Sequence, residues 1–308
     1  MQIAYINFNN TTQNTLDSKL AFTILVTGAD GQLGRTFRDL SFSYPNCKFI
    51  FTNKESLSIT DENTVEQFFL KNSFDVCINC AAYTGVDLAE DEQALSLLVN
   101  ADAPALLAKH CAIHNVLFIH VSTDYVFSGK GHIPYTETDP TEPVNFYGYS
   151  KLLGEQQVMA VNPNAIVIRT SWVYSQHGKN FVKTMCNLLL QKEKINVVAD
   201  QWGSPTAAPD LAAAIMKIII ENNYLSGIYH YCNTGIISWH QFATAIKESL
   251  QASCIVEAIG TKDYPTKAAR PAYSALDTSK IQQAFSITIP QWENSLKACV
   301  QKIKLQLP

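Results

Sequence analysis

Short, almost wholly apolar segments alternate with amphipathic stretches along the first part of the chain. The apolar segments are 22–27, 48–52, 75–80, 116–122 and 165–170. Stretches with helical periodicity lie between them, at 62–71, 91–100, 103–114 and 147–160. Apolar strands that alternate with helices are typical of a parallel sheet covered on both faces. The pattern therefore predicts an α/β fold with a doubly wound parallel sheet and right-handed crossovers.

The pattern changes after residue 172. Helical periodicity marks 181–191, 209–222 and 239–250, strands are predicted at 195–199, 227–231 and 255–259, and two helices follow in the tail. We expect residues 22–172 plus about 204–232 to form a nucleotide-binding domain. About 173–203 plus 233–308 would form a smaller C-terminal α/β domain that binds the substrate. Residues 1–21 are polar, and we expect them to be a poorly ordered N-terminal extension.

Composition narrows the classes of protein that the chain can belong to. It has 308 residues, of which 47% are hydrophobic and 16% charged, as expected for a globular protein. The net charge of −4 provides no basic field for nucleic acid or a membrane surface. The first 20 residues contain no apolar signal segment, and the apolar run at 211–220 is too short to span a bilayer. We therefore expect a cytoplasmic protein with no nucleic-acid or membrane partner.

Eight cysteines are scattered along the chain, and two of them form a C-x-x-C pattern. Cys77 and Cys80 lie within a predicted strand, where residues three apart point to opposite faces of the sheet. Such a pair cannot share a metal ion. We predict structural thiols, with no metal site.

A glycine-rich turn follows the first apolar segment directly. Gly28, Gly31 and Gly34 recur at every third position, after a predicted strand and at the start of a helix. Glycines let backbone N–H groups approach a pyrophosphate, and the helix N-terminus adds partial positive charge. This order of elements predicts a Rossmann-type, dinucleotide-binding domain. The predicted cofactor contacts in the turn are Gly28, Asp30, Gly31, Gln32, Leu33 and Gly34.

The end of the second strand bears on which dinucleotide is bound. An acidic residue there would hold a ribose 2′-hydroxyl and repel a 2′-phosphate. The chain instead has Asn53 followed by Lys54. We expect Asn53 to contact the cofactor and NADPH to be preferred, with NADH as the alternative. Small residues after the third strand would let the cofactor lie against the backbone, and the contacts predicted there are Ala81, Ala82, Tyr83 and Thr84.

Tyr147 and Lys151 are spaced one turn apart on a predicted helix and share a face. A phenol has an ordinary pKa of about 10, and a nearby ammonium favours the phenolate. The hydroxyl of Thr123, at the end of the preceding strand, would hold a substrate oxygen beside Tyr147. These three residues are the predicted catalytic set, which passes a proton to a carbonyl while a hydride reaches its carbon.

Several strings of residues carry a resemblance to a known family. They are 28–34, 79–87, 122–127, 147–151, 169–174 and 200–206, with Arg270-Pro271. Over about 23–304 the chain resembles the dTDP-4-dehydrorhamnose reductases, a family of the extended short-chain dehydrogenase/reductase superfamily. The glycine and Tyr/Lys motifs are shared by the superfamily. The Ser-Thr-Asp-Tyr-Val-Phe and Arg-Thr-Ser-Trp-Val-Tyr strings are more specific to the family.

The resemblance implies an activity and a set of substrate contacts. The activity is NAD(P)H-dependent reduction of the 4-keto group of dTDP-4-dehydro-β-L-rhamnose, the last step of dTDP-L-rhamnose biosynthesis. Tyr147 would donate the proton to the C4 oxygen, Lys151 would lower the pKa of Tyr147 and bind the nicotinamide ribose, and Thr123 would hold the reacting oxygen. The implied substrate contacts are Thr123, Asp124, Tyr125, Trp172, Asn180, Gln201 and Arg270, of which Arg270 would pair with the diphosphate.

The chain departs from the family pattern in two respects. Asn53 and Ser58 stand where many relatives have Asp, which bears on recognition of the adenosine ribose. Some relatives bind Mg²⁺ through three glutamates at a dimer contact, and the matching residues here are Thr36, Pro209 and Glu293. We therefore predict that this metal-mediated dimer is absent. The sequence leaves a role for Mg²⁺ open and does not decide between a monomer and a homodimer.

Two other functions compete with simple reduction. A nucleotide-sugar 4-epimerase or 4,6-dehydratase would share the glycine turn and the Tyr/Lys pair. The dehydratases resembling this superfamily carry Asp-Glu where this chain has Asp124-Tyr125, so the carboxylate that assists elimination is missing. A non-catalytic, NADP-binding regulatory subunit, such as the β subunit of methionine adenosyltransferase, would not need the complete set of Thr123, Tyr147 and Lys151.

Overall fold

A computed structural model of the chain describes residues 22–222 and 224–306. The N-terminal extension predicted at 1–21 lies outside the described residues. The strands are β1 (Thr23–Thr27), β2 (Lys48–Phe51), β3 (Val76–Asn79), β4 (Leu117–Thr123), β5 (Ile166–Thr170), β6 (Val173–Tyr174), β7 (Lys194–Val198), β8 (Trp202–Gly203), β9 (Thr206–Ala207), β10 (Gly227–Tyr231), β11 (Ile237–Ser238) and β12 (Ile255–Ile259).

Ten α-helices lie among the described residues. They are α1 (Gln32–Ser41), α2 (Glu62–Lys71), α3 (Gln93–Leu97), α4 (Ala103–Ile113), α5 (Phe146–Val161), α6 (Phe181–Gln191), α7 (Ala208–Glu221), α8 (Trp239–Leu250), α9 (Ser279–Phe285) and α10 (Trp292–Lys304). Pro209 lies in the first turn of α7, where a missing backbone N–H costs nothing, as the sequence predicted.

Six strands form the central sheet in the order β10-β5-β4-β3-β1-β2. Every pairing in it is parallel, which confirms the predicted α/β sheet. The chain runs from β1 outward to β2 and then returns to the other side of β1 as β3. The crossovers after β1 and β3 therefore diverge, and they leave a crevice at the carboxyl ends of these two strands. In open α/β sheets ligands bind in such a crevice.

The sheet separates two apolar layers. One layer contains Leu33 and Phe37 of α1 with Ile215 and Ile219 of α7, and the other contains side chains of α2, α4 and α5, such as Leu107. Cys77 faces the second layer, whereas Cys80 packs against the first. The two thiols of the C-x-x-C pattern therefore point to opposite faces of the sheet, as predicted.

A third apolar core lies in the part of the chain where the smaller C-terminal domain was predicted. Helices α6, α8 and α10 pack there with β7, which pairs in parallel with β12. The helix α9 belongs to the stretch that we assigned to the substrate domain. Its side chains Ile281 and Phe285 nevertheless pack in the core of the central sheet. The division into two domains otherwise stays a prediction. Within the described ranges, no helix is both long and apolar enough to span a bilayer.

The helix predicted at 91–100 is interrupted in the structure. A short 3₁₀ turn (Leu88–Glu90) precedes α3, and a π-helical turn (Leu98–Asp102) joins α3 to α4. The side chain of Asn100 in this turn accepts from the backbone N–H of Tyr83 at 2.8 Å and donates to its carbonyl at 3.0 Å. The π turn thus ties the helix to the loop after β3, a contact that helical periodicity cannot reveal.

Candidate active site

The glycine turn lies against the loop after β3, and only glycine fits there. Gly28 has a φ of +65°, and a Cβ on it would lie 2.6 Å from the backbone nitrogen of Ala81. A Cβ on Gly34 would lie 2.4 Å from the carbonyl oxygen of Gly28. Helix α1 starts immediately after Gly31, so its first N–H groups face the crevice between β1 and β3. This close-packed cradle fits a dinucleotide pyrophosphate.

Helix α5 carries Tyr147 and Lys151, and its start is fixed by local contacts. The side chain of Asn145 caps the helix by accepting from the N–H of Gly148 at 2.8 Å. A Cβ on Gly148 would lie 2.1 Å from the carbonyl oxygen of Tyr125. The missing side chain therefore lets the first turn of α5 approach the segment that follows β4. This contact brings the Tyr147 ring edge-on to Tyr125, with ring centroids 5.8 Å apart.

The residues predicted from separate motifs meet in a cleft of about 580 Å³, which we call the inner cleft. It is lined by the predicted residues Gly31, Gln32, Leu33, Ala82, Thr84, Thr123, Asp124, Tyr125, Tyr147, Lys151 and Trp172. Sequence reasoning missed other lining residues, among them Ser122, Gly178, Lys179 and Trp239. Ser122 lies inside a motif already singled out, whereas no sequence signal pointed to Trp239.

Burial controls the protonation of Tyr147. Removal from water raises the pKa of the phenol to about 12, and the Thr123 hydroxyl acts in the opposite direction. Tyr147 is therefore protonated near neutrality and can act as a proton donor. The sequence led us to expect that Lys151 lowers this pKa. In the structure the Lys151 amine instead donates to the carbonyl of Val121 at 2.7 Å, and burial lowers its own pKa to about 8.

Two buried polar atoms of the inner cleft have no hydrogen-bond partner among the described residues. They are Ser122 Oγ and Asp124 Oδ2, at residues that are 4% and 2% exposed. Thr123 Oγ1 donates to the other carboxylate oxygen of Asp124 at 3.0 Å. Burial raises the pKa of Asp124 to about 7, although neighbouring hydroxyls oppose the shift. Because buried polar atoms are normally paired, these two are suited to contact a bound ligand.

The raised pKa of Asp124 predicts a dependence of stability on pH. Below pH 4 the carboxyl is protonated in the folded and the unfolded chain. Between about pH 4 and 7 it ionises more readily in the unfolded chain, so the free energy of unfolding falls as pH rises, by up to about 4 kcal/mol. We expect Asp124→Asn to lose this component, and urea unfolding of the variant and the wild type at pH 5 and pH 8 measures it.

Asp102→Asn, the same substitution at an exposed aspartate outside the inner cleft, provides the matched control. An identical fall in stability with pH for the wild type and Asp124→Asn would contradict the prediction.

Trp172 occupies an unusual position in the inner cleft. Its φ of +48° lies in the left-handed region, which is strained for a bulky residue. Its ring stacks on Trp239, with centroids 3.4 Å apart and planes 9° from parallel. A Cβ on Gly203 would lie 2.8 Å from the Trp172 ring. Strain held by close packing is common at ligand sites, and here it presents an aromatic face to the cleft.

A second cavity of about 740 Å³, which we call the outer groove, adjoins the inner cleft; Tyr125 and Trp239 line both. Its walls include Phe181, Met185, Leu188, Lys192, Lys194, Asn196, Gln201, Tyr264 and Arg270. Arg270 forms a bidentate ion pair with Asp87, at 3.0 and 2.8 Å. Gln201 donates to Thr261 at 3.0 Å. The predicted substrate contacts of Gln201 and Arg270 thus lie on the groove wall, and their contact with a ligand stays a prediction.

Other predicted residues lie outside the lining of both cavities. Asn180 caps α6 and donates to Gln32 at 2.8 Å, so its side chain is engaged in structural contacts. Asn53 donates to the carboxylate of Asp30 at 2.9 Å, at the end of β2. Tyr83 donates its hydroxyl to Glu92 at 2.7 Å. The ligand contacts assigned to these residues stay predictions.

The positions linked to Mg²⁺ in some relatives do not form a cluster of ligands. Thr36 is buried and donates to the carbonyl of Gln32, Pro209 lies in the first turn of α7, and Glu293 lies in the first turn of α10. Across residues 22–222 and 224–306, no group of three or more His, Cys, Asp or Glu could hold a metal ion. The absence of the metal-mediated dimer stays a prediction.

The parallel sheet, the glycine cradle and the Tyr147–Lys151 helix define an extended short-chain dehydrogenase/reductase. Comparison with known proteins narrows the class. A family model described as the RmlD substrate binding domain matches residues 22–305. A dTDP-4-dehydrorhamnose reductase of Aggregatibacter actinomycetemcomitans is 41% identical in an alignment of 286 residues that covers 89% of this chain and 97% of that protein. The chain belongs to the dTDP-4-dehydrorhamnose reductase family.

Solved structures agree with this assignment. A dTDP-4-dehydrorhamnose reductase from Clostridium acetobutylicum superposes with a TM-score of 0.87 at 38% identity, and covers 92% of this chain and 100% of its own. The enzyme from Bacillus anthracis, solved in complex with NADP, gives a TM-score of 0.88 at 35% identity, with coverage of 92% and 100%.

Proposed function

We propose that this chain reduces the 4-keto group of dTDP-4-dehydro-β-L-rhamnose to give dTDP-β-L-rhamnose, with NAD(P)H as the reductant, in dTDP-L-rhamnose biosynthesis. The observation that carries the proposal is the meeting of Thr123, Tyr147 and Lys151 beside the glycine turn in one cleft. The family relatives that carry the name of this reductase support the choice of substrate.

The roles of the side chains follow from their surroundings. The bound dinucleotide supplies the hydride that reaches C4 of the sugar. Tyr147, which burial keeps protonated, gives its proton to the C4 oxygen as negative charge develops there. Thr123 holds that oxygen beside the phenol. Lys151 is anchored on β4 through Val121, and it is positioned to bind the nicotinamide ribose.

The preferred cofactor in this proposal is NADPH. Asn53 adds no negative charge at the end of β2, although Asp30 lies beside it. The guanidinium of Arg38 lies 4.5 Å from the ring centroid of Phe51, the last residue of β2, so a cation stands near the place expected for a 2′-phosphate. The NADP complex of the Bacillus anthracis relative supports the same choice.

The outer groove is suited to the nucleotide part of the substrate. Apolar side chains such as Phe181 and Met185 offer a surface for a base, and Arg270 lines the same groove. Its Nη1 donates to Asp87 and to the carbonyl of Ala268, and its Nη2 donates to Asp87, so the Nε–H and the second N–H of Nη2 are those that would meet a diphosphate. The sugar would then lie against Trp172, between the groove and Tyr147.

The decisive experiment measures NADPH oxidation by the isolated chain with dTDP-4-dehydro-L-rhamnose and its stereoisomers. We expect one NADPH consumed per product, the L-rhamnose configuration by NMR, and a higher kcat/KM with NADPH than with NADH. Turnover without net NADPH consumption would instead identify an epimerase or dehydratase. Absence of turnover with retained NADPH binding would favour a regulatory subunit, and a strong preference for NADH would contradict the cofactor assignment.

A further inference from the structure

A line of buried polar side chains crosses the central sheet and ends at Lys151. Thr27 on β1 donates to Asn79 Oδ1 on β3 at 2.6 Å. Asn79 Nδ2 lies 3.0 Å from Nδ1 of His120 on β4, and His120 Nε2 lies 3.3 Å from Lys151 Nζ. Each of these four residues is at most 1% exposed. The catalytic set described above does not use Thr27, Asn79 or His120.

The backbone fixes the orientation of the Asn79 amide. The N–H of Ala81 donates to Asn79 Oδ1 at 3.2 Å, so the oxygen must face Ala81 and Thr27. The NH₂ group of Asn79 then faces His120 Nδ1. An amide nitrogen can only donate, so Nδ1 of His120 has to accept.

The histidine consequently presents a proton to the lysine. Burial lowers the pKa of His120 well below its usual value, and the nearby Lys151 acts in the same direction, so the imidazole is neutral. A neutral imidazole with an accepting Nδ1 carries its single proton on Nε2, which faces Lys151 Nζ. An ammonium has no lone pair to accept this proton, whereas a free amine has one. The contact is therefore a hydrogen bond only when Lys151 is unprotonated.

We propose that His120 is a positioning residue, which Asn79 holds as the Nε2–H tautomer, and that it shifts Lys151 toward its neutral amine. The other titratable neighbour acting on Lys151 is Glu155 on α5, which favours the charged form. The carboxylate of Glu155 is neutralised by a buried pair with Arg169 of β5, at 2.7 Å. The contact with His120 Nε2–H therefore acts in the same direction as burial, which lowers the pKa of Lys151.

The consequence for the reaction rests on the proposed function. Each turnover transfers the phenol proton of Tyr147 to the substrate oxygen, and Tyr147 must regain a proton before the next one. A lysine that exchanges its proton near neutral pH can give a proton to the phenolate and recover it from water. A lysine with a lowered pKa gives its proton to the phenolate more readily than one with the ordinary pKa of about 10.4, because it is the stronger acid.

The first test is a titration of Lys151 that needs no substrate. Wild-type protein labelled with ¹³C and ¹⁵N lysine is titrated by NMR, and Lys151→Met assigns the signal. We expect a pKa lower than the free-lysine value by about one unit or more. A pKa at or above about 10.4 would overturn the proposal, whether or not the protein turns over dTDP-4-dehydro-L-rhamnose.

The second test reverses the direction of the hydrogen bond that His120 offers to Lys151. In Asn79→Asp the carboxylate accepts from His120 Nδ1, so Nε2 offers a lone pair to Lys151. In His120→Gln an amide oxygen can face the amine without any added charge. We expect both variants to raise the Lys151 pKa and the basic limb of the kcat/KM pH profile by about one unit. The control is His114→Gln, at an exposed histidine. It should shift neither the Lys151 pKa nor the basic limb of the kcat/KM pH profile.

A purely structural role for His120 would lower the unfolding temperature without moving the pH profile, and that outcome contradicts the proposal. If either variant fails to fold, the ¹⁵N chemical shifts of the wild-type His120 ring decide, because a proton found on Nδ1 rather than Nε2 would overturn the proposal. Absence of turnover in a protein whose Lys151 titrates as expected would overturn the proposed function but not the role of His120.

Discussion

Replacing Tyr147 by phenylalanine is expected to lower kcat for the 4-keto sugar by about 10²–10⁴-fold while leaving the Kd for NADPH nearly unchanged. The ring still packs edge-on to Tyr125, so the cleft keeps its shape. Only the proton that reaches the C4 oxygen is lost. Steady-state kinetics and fluorescence titration with NADPH, at one pH near neutrality, measure the two quantities separately.

Tyr149 offers a matched control on the same helix. It is 47% exposed and lies two residues from Tyr147, outside the lining of the inner cleft. Tyr149→Phe removes the same hydroxyl group and should retain nearly full kcat. If Tyr147→Phe retained kcat within about threefold of the wild type, another group would have to supply the proton.

Gly34→Ala is expected to weaken NADPH binding by about 100-fold and to lower the unfolding temperature. The added Cβ would lie 2.4 Å from the carbonyl oxygen of Gly28 and 2.6 Å from Cα of Ala29. Both contacts are with backbone, which cannot rotate away, so the turn must open. Overpacking of this kind costs about 1–3 kcal/mol, and about 2.7 kcal/mol corresponds to a 100-fold change in Kd. Calorimetry of NADPH binding measures the effect directly.

Gly85 provides the comparison, because it also lies near the crevice but has room for a side chain. A Cβ there would meet the side chain of Leu88 at 3.4 Å, an ordinary contact. Gly85→Ala should therefore bind NADPH within a few-fold of the wild type. Equal effects of the two substitutions would show that flexibility of the loop, rather than close packing at Gly34, controls binding.

Strands and helices were predicted well where the local pattern is strong. The strand β10 and the helices α2, α6 and α8 have the predicted bounds, because their apolar positions repeat with one clear period and end at residues that cap or break the element. The stretch predicted as a helix at 91–100 is helical in the structure, but its last residues form a π turn that the sequence did not predict. Its π turn is stabilised by contacts of Asn100 with Tyr83, which lies 17 residues away and carries no local signal.

The residues of the candidate site likewise fall into those that local motifs predicted and those that were missed. The glycine turn and the Tyr147–Lys151 spacing are local motifs, which can be recognised without knowing how the rest of the chain folds. Trp239 and His120 were missed because their importance arises only from residues that folding brings beside them, Trp172 in one case and Lys151 in the other. The packing of α9 against the central sheet was not predicted, because helix periodicity does not reveal which core a helix will join.

By itself the sequence determined the class of fold, the position of the glycine turn, and the candidate residues for proton transfer, because these depend on short-range periodicity and spacing. Only the tertiary structure decided the protonation of those residues. Burial raises the pKa of Tyr147 and lowers that of Lys151, and the amine is bound to β4. The tertiary structure also decided that Arg270 pairs with Asp87. Burial and pairing depend on groups distant in the chain, which no local pattern records.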